Sequence, residues 1–211
     1  MPTPTLLFAD ATLVAVDKPT GWLVHPAGTE APDLLGWLAD QDVPTGLAPV
    51  HRLDRGTSGV TLFAPGDHAA RWAGAFASGD ADKQYQALVF GVTRDKGTVR
   101  RALADGRRGK PLDAVTRYRT VERFTKWSLL AVRPETGRKH QIRRHLQGIG
   151  HAVVGDARYP VRGKKTVPAF PGRLWLHAER LTLGEHDFVA PLPPELADHL
   201  ASLRERVPSS G

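Results

Sequence analysis

The sequence predicts an α+β fold: a mostly antiparallel mixed sheet with flanking helices. Three observations lead there. Segments with the alternation or short apolar run of a strand outnumber those with helical spacing. Many connections between strand candidates are short and carry Gly, Asp or Pro, which suits hairpins rather than crossovers. No Gly-x-Gly-x-x-Gly turn and no Walker-type loop occurs, so nothing indicates a doubly wound nucleotide-binding sheet.

Taken in order, residues 5–9 and 12–17 are two short strand candidates with Asp10 at the turn. Lys18-Pro19-Thr20-Gly21 breaks the pattern, and 22–24 resumes it before His25-Pro26. Residues 33–40 predict a short helix, with Leu34, Leu35 and Leu38 on one face and Trp37 beside them. Residues 50–64 read VHRLDRGTSGVTLFA. The run 60–64, bounded by Gly59 and Pro65, predicts a buried strand, and the Gly, Thr and Ser before it are turn chemistry. Asp67 is placed to cap a helix through Ser78, with Ala69, Trp72, Ala73 and Phe76 facing the core.

Strands are expected over 83–92 and 97–103, then a basic loop over 106–111, then longer strands over 114–124 and 127–132. Thr136-Gly137 opens an expected helix over 138–147, stopped by Gly148, with Ile142, Leu146 and Ile149 as its apolar stripe. Residues 152–154 and 174–183 are strand-like, separated by a glycine- and lysine-bearing loop over 158–171. Pro193-Pro194 precedes an amphipathic helix over 195–206, with Leu196, Leu200 and Leu203 facing in, and 208–211 is expected to fray.

The 211 residues, 41% of them hydrophobic, suit one compact domain over 1–211, without repeat or linker. The absence of cysteine excludes disulfides and Cys-ligated zinc and fits a reducing, cytoplasmic compartment. Residues 1–8 lack a basic region followed by an apolar stretch, so no signal peptide is expected. No apolar run reaches membrane-spanning length. The nine histidines show no metal spacing; His140 and His145, five apart, do not share a helical face.

The net charge of +7 favours an anionic partner. Arg100, Arg101, Arg107, Arg108 and Lys110 form one cluster, Arg138, Lys139, Arg143 and Arg144 a second, and Arg162, Lys164 and Lys165 a third. Any one of these reads as a solvated face. Three in a chain of this size point to nucleic acid.

The chemistry-bearing candidates each have a plain alternative. Asp54, between Arg52 and Arg55, is either a surface ion pair in a turn or a functional carboxylate. Tyr85 alternates with Ala87 and Val89, which suits a core tyrosine with its hydroxyl at the edge. Residues 134–146 read as a capped basic helix.

Taken as strings, these segments say more. His51-Arg52-Leu53-Asp54-Arg55, followed by Thr57-Ser58-Gly59, resembles the signature of the RluA-type pseudouridine synthases. The segments 83–89, 134–146 with Gly150-His151 and Val154-Gly155-Asp156, and 174–178 resemble the family's later motifs, and 13–21 resembles its start. The likeness runs from about Leu6 to Leu183 in the family's order and spacing. Gly56 and Ala152 depart from the residues common there.

The resemblance implies an RNA-modifying enzyme with Asp54 as catalytic carboxylate, Arg143 as its ionic and orienting partner, and Tyr85 stacked on the target base. It implies a base taken out of its stack, with Arg52 filling the vacated space or holding a phosphate. Arg55, His51, Arg138, Lys139 and Arg144 are then expected along the RNA. The isomerisation is redox-neutral and hydrolyses nothing, so no cofactor and no metal are expected. A carboxylate serves by attacking the sugar carbon, by attacking the uracil ring, or by removing the ribose 2′ proton. Residues 22–25 and 138–146 are most similar to a tRNA-specific branch of the family; rRNA or several RNAs are the alternative substrates. The chain starts directly with the catalytic region, so no separate N-terminal RNA-binding domain is expected; a lone domain of this size, with no coiled coil or exposed apolar stripe, is expected to work as a monomer. A silent RNA-binding or RNA-folding module is the reading from another class; a glycoside hydrolase would need a second placed carboxylate, which no motif supplies.

Overall fold

The computed structural model describes residues 2–104, 109–163 and 166–206. Arg107, Arg108, Lys164, Lys165, the tail 208–211 and the side chain of Asp67 lie outside what it describes. The expected α+β class is borne out: twelve strands and four helices are formed by the described residues.

β1 (Thr5–Ala9) and β2 (Val14–Lys18) pair antiparallel. Asp10 makes their turn, its Oδ1 accepting from the N–H groups of Thr12 at 2.7 Å and Leu13 at 2.8 Å. α1 (Leu34–Leu38) is capped by Asp33, whose side chain accepts from the Gly36 N–H at 2.9 Å. β3 (Leu47–Pro49) and β4 (Ser58–Pro65) follow, then α2 (Gly66–Ser78), which Gly79 ends at φ 95°. α2 begins one residue before Asp67, with Pro65 at the N-cap.

β5 (Asp82–Phe90), β6 (Lys96–Arg100), β7 (Leu103–Ala104), β8 (Pro111–Leu112), β9 (Val115–Arg123) and β10 (Trp127–Pro134) come next. α3 (Gln141–Gly148), β11 (Leu176–Leu183), β12 (His186–Val189) and α4 (Pro194–Arg204) complete the order.

The chain divides into two compact units, residues 1–83 with 177–191, and 84–176 with 192–211. In the first, the strand order is β1-β2-β4-β11, with β3 on β4 and β12 on β11. These ladders are antiparallel except β4 with β11, which is parallel through His177↔Ser58 and Ala178↔Gly59. Gly59 is required there: its φ is +115°, and a Cβ would lie 2.1 Å from the Ala178 carbonyl oxygen. β4 is covered on both faces. Val60 and Leu62 pack with Trp72 and Leu181, whereas Phe63 packs with Val14, Val16, Leu34 and Leu38. Burial on both faces explains why β4 reads as a continuous apolar run rather than an alternating one.

In the second unit the order is β5-β10-β9-β6, antiparallel from β5 to β6, and β7 pairs β8. Leu88, Leu130, Val132, Leu146, Val153, Trp175, Leu196 and Leu200 form its core. The Trp175 indole N–H donates to Nδ1 of His199 at 3.0 Å, which fixes α4 by a buried polar contact as well as by its leucines.

Four expectations are corrected. The helix expected over 138–147 starts only at Gln141, because His140 takes a left-handed φ of 54° and the residues before it form a turn. Ile149 is 39% exposed rather than part of the apolar stripe, since it follows the helix end at Gly148. Residues 152–154 are buried, yet form one bridge, Val89↔Val153, rather than a strand. Residues 22–24 likewise hold a single bridge, Leu23↔Asp33.

Candidate active site

In the first unit, the loop ahead of β4 carries Asp54, which is half-buried, between exposed Arg52 and Arg55. Main-chain acceptors gathered on a buried cation fix this loop. Lys18 is 0% exposed, and its ammonium donates to the carbonyls of Pro19 at 3.0 Å, Trp22 at 3.0 Å and Arg55 at 3.3 Å. A buried ammonium is tolerated only when its donors are satisfied, and here that requirement ties residues 18–22 to residue 55. Two further bonds double the tie: the Gly21 backbone N–H donates to the Arg55 carbonyl, and the Arg55 side-chain Nε donates back to the Gly21 carbonyl. Thr20 Oγ1 donates to the Gly56 carbonyl at 3.0 Å, and the Thr57 N–H closes a turn onto the Asp54 carbonyl at 3.0 Å.

His51 supports the same loop from the other end. Its Nε2 accepts from the Leu62 N–H at 3.1 Å, and its ring stacks on Phe76 at 4.5 Å. Burial, with the nearby Lys83 ammonium adding to it, pushes its pKa down to about 3. His51 therefore stays neutral and acts as a strut. The Ser58 hydroxyl meets Nδ1 of buried His177 at 2.9 Å, while His177 Nε2 lies 3.1 Å from the Ala190 carbonyl. A carbonyl only accepts, so Nε2 carries the proton and Ser58 donates to Nδ1.

In the second unit, Tyr85 sits on β5 opposite Val132 of β10, half-buried against the core. Arg143 leaves α3 at its third residue. Its Nε donates to Asp156 Oδ2 at 2.7 Å and its Nη2 to Oδ1 at 2.8 Å. The side chains are 11% and 0% exposed, which makes a buried bidentate pair. Asp156 Oδ1 also accepts from the N–H groups of Arg158 and Tyr159, each at 2.9 Å. Burial works against ionising Asp156. The Arg143 guanidinium and the two backbone donors outweigh it and hold the carboxyl below its usual range. The Tyr159 ring lies 5.3 Å from the Arg143 guanidinium, and the Tyr159 hydroxyl is 3.0 Å from His140 Nδ1.

The late start of α3 has a cause in Gln141. Its buried side chain accepts from the Thr136 hydroxyl at 2.6 Å and the Arg138 N–H at 3.0 Å. It donates to the Val115 carbonyl and to Thr116 Oγ1. Thr116 in turn meets Nδ1 of His145, whose Nε2 bonds the Arg101 carbonyl at 2.9 Å. Arg138 and Lys139 thus lie exposed on a turn rather than a helix. Arg138 Nε donates to the Asp113 carbonyl, and half-buried Arg144 donates to the Ala104 carbonyl.

The structure thus brings His51, Arg52, Asp54 and Arg55 together in one unit, and Tyr85, Arg138, Lys139, Arg143 and Arg144 in the other. Sequence reasoning named no role for Asp156, Lys18 or His177. Asp156 stood in a recognised segment; its bond to Arg143 is tertiary and leaves no local signal.

A profile of the family described as RNA pseudouridylate synthase matches residues 12–148, which include Asp54, Tyr85 and Arg143. The chain belongs to that family. It is 34% identical over 206 residues to the tRNA pseudouridine synthase C of Pectobacterium carotovorum subsp. carotovorum, with 84% of this chain and 54% of that protein covered. It is equally identical to the tRNA pseudouridine synthase C of Yersinia pestis, with 84% and 80% covered. The chain thus spans about half the length of the Pectobacterium relative. Among solved structures, human RNA pseudouridylate synthase domain containing 4 matches with a TM-score of 0.79 and 27% identity, covering 94% of this chain and 92% of that one. The pseudouridylate synthase fold is therefore present over nearly the whole chain.

Proposed function

We propose that this chain isomerises a specific uridine of RNA to pseudouridine, with Asp54 as its catalytic carboxylate. The observation that carries the reading is the Asp54 loop. A half-buried carboxylate flanked by exposed arginines stands on a segment pinned to a buried lysine and fed into a rigid strand. Such a loop holds one reactive group still while leaving cations on either side for phosphate.

The reaction breaks the bond between uracil N1 and the sugar, turns the ring, and joins C5 to the same carbon. C5 loses a proton and N1 gains one, so electrons balance without a cofactor. Asp54 serves as nucleophile or base. Arg143 serves as the orienting cation, with its own direction fixed by Asp156. Tyr85 serves as the stacking surface for the extruded uracil, and Arg52 takes its place in the stack. Arg55, Arg138, Lys139 and Arg144 contact the RNA backbone, and His51 supports the loop that carries Arg55. The substrate is tRNA, a reading supported by the names of the relatives and by the basic charge. The protein works in the cytoplasm as a monomer.

The test is a carbodiimide map of pseudouridine on unmodified tRNA and rRNA, with wild type and Asp54→Asn in parallel. One new tRNA site is expected with wild type. The variant should lose activity by about 10²–10⁴-fold, the range for removing a positioned acid–base group, while still binding RNA. A mark on rRNA alone would overturn the tRNA assignment. Binding by both proteins with no mark on any RNA would replace the enzyme with a silent RNA-binding module.

A further inference from the structure

β9 separates its side chains cleanly. Thr116 points toward α3, where it bonds Gln141 and His145. Tyr118 lies on that side too, in the space that a Cβ on Gly97 would fill; Tyr118 ring atoms are 2.6 Å from that position. Arg117 and Arg119 therefore stand on the opposite face, and both are exposed.

The register shows what stands beside them. Arg119 lies directly opposite Lys96 of β6 and Ala131 of β10, and Arg117 opposite Thr98 and Arg133. Arg100 of β6, opposite Val115, adds a further cation. All five cations are exposed. Glu135 pairs with Arg117. Among the described residues, no carboxylate forms an ion pair with Lys96, Arg100 or Arg119.

This arrangement is costly. Like charges directly opposite each other on a sheet destabilise it, and here Lys96 faces Arg119. An idle surface is better served by mixed signs. The spacing is regular, about 6.6 Å along a strand and about 4.8 Å between strands, on a rigid support. Four of the five cations are arginines, whose planar forks match phosphate oxygens. Aromatic anchors, which a protein partner would use, are missing from these cross-strand positions.

We propose that this face of β6, β9 and β10 is a second RNA-docking surface, which holds the sugar–phosphate backbone of the substrate on the side of the sheet away from α3. It rests on the reading that RNA is the substrate. It adds that recognition extends to a part of the RNA remote from the helix that carries Arg143, so a long RNA gains contacts that a short stem-loop lacks.

The test is the double variant Lys96→Gln, Arg119→Gln, whose affinity for a full-length tRNA transcript and for a short stem-loop bearing the modified site is measured across salt concentrations. For the full-length RNA, the dissociation constant near 0.1 M salt should rise about tenfold, and the slope of log affinity against log salt should shrink by nearly 2. Stem-loop binding should not change. The melting temperature should hold or rise, since a like-charge pair has been relieved. Unchanged affinity and slope with the full-length RNA would overturn the proposal, and so would equal weakening for both RNAs. Wild-type binding to a polyglutamate peptide that the variant loses, with RNA binding intact, would overturn it in favour of an acidic protein. Binding is read without turnover, so a failed pseudouridine map and a failed docking face leave different records.

Discussion

The loop around Asp54 and the start of α3 around Arg143 solve one problem in opposite ways. Each must hold a charged side chain in a fixed direction at the end of a regular element. At Asp54 the chain is held by its own carbonyls, collected on the Lys18 ammonium and on one backbone and one side-chain bond between Gly21 and Arg55. At Arg143 the side chain itself is gripped, by a buried bidentate carboxylate that two backbone N–H groups also hold. The first arrangement fixes the backbone and leaves the Arg52 side chain exposed, while the exposed Arg55 side chain is tied through its Nε. The second fixes the side chain and makes its position depend on one ionised partner. The Lys18 tie should thus tolerate acid, whereas guanidinium positioning should not.

The largest effect is expected from Asp156→Ala. It leaves a nearly buried guanidinium without its carboxylate, and loss of one partner of such a pair costs about 3–5 kcal/mol, read by urea denaturation. Asp156→Asn should cost less. The sign with pH follows from the lowered carboxyl pKa. The contribution is complete above the ordinary unfolded value of about 3.9 and is lost as pH falls through the folded value. The wild type should therefore lose stability below about pH 4, and Asp156→Asn should lack that part of the acid transition. An unchanged acid limb in the variant would remove the pair from the account.

Next comes Lys18→Met, which fills the space but leaves three carbonyls without their donor. A loss of about 2–3 kcal/mol is expected. Pseudouridine formation should fall at least tenfold under conditions where the variant remains folded, because the Asp54 loop is released. Full activity in the folded variant would show that the bonds between Gly21 and Arg55 suffice.

The smallest effect separates the two regions by pH. His51 has a folded pKa below its unfolded value of about 6.5, so the unfolded chain binds more protons and stability falls as pH drops below about 6.5. His51→Gln should flatten that slope by at most about 1.4 kcal/mol per pH unit, seen in denaturation curves between pH 7 and 5. An equal slope in the variant would mean that other histidines carry the dependence, His145 and His199 first, since burial lowers both.

Much of this was legible in the sequence, for physical reasons that can be named. β4 and β10 announce themselves by apolar runs, and α4 by leucines at helical spacing after Pro194. β3 was not legible, because three residues ending in proline carry no period. β12 was missed although Gly184, at φ 61°, makes a two-residue hairpin between Leu183 and His186. The start of α3 was misread because local helix signals were overruled by the buried amide of Gln141, which bonds the preceding turn and the neighbouring strand. In the candidate site, Asp54, Tyr85 and Arg143 were legible only as parts of longer strings. Lys18 was not, since lysine is ordinarily a surface residue and only the assembled loop supplies its acceptors.

The parallel pairing of Gly59 with Ala178 also has a consequence in time. The two residues are more than a hundred positions apart, so loop closure across that distance must precede their hydrogen bonds. As the chain leaves the ribosome, β1 to β4 are made long before β11; β3 covers the Phe63–Pro65 end of the β4 edge, and the Ser58–Gly59 end waits unfilled. A nascent or truncated chain ending before residue 177 would display that open end of β4 as a template for association with another chain.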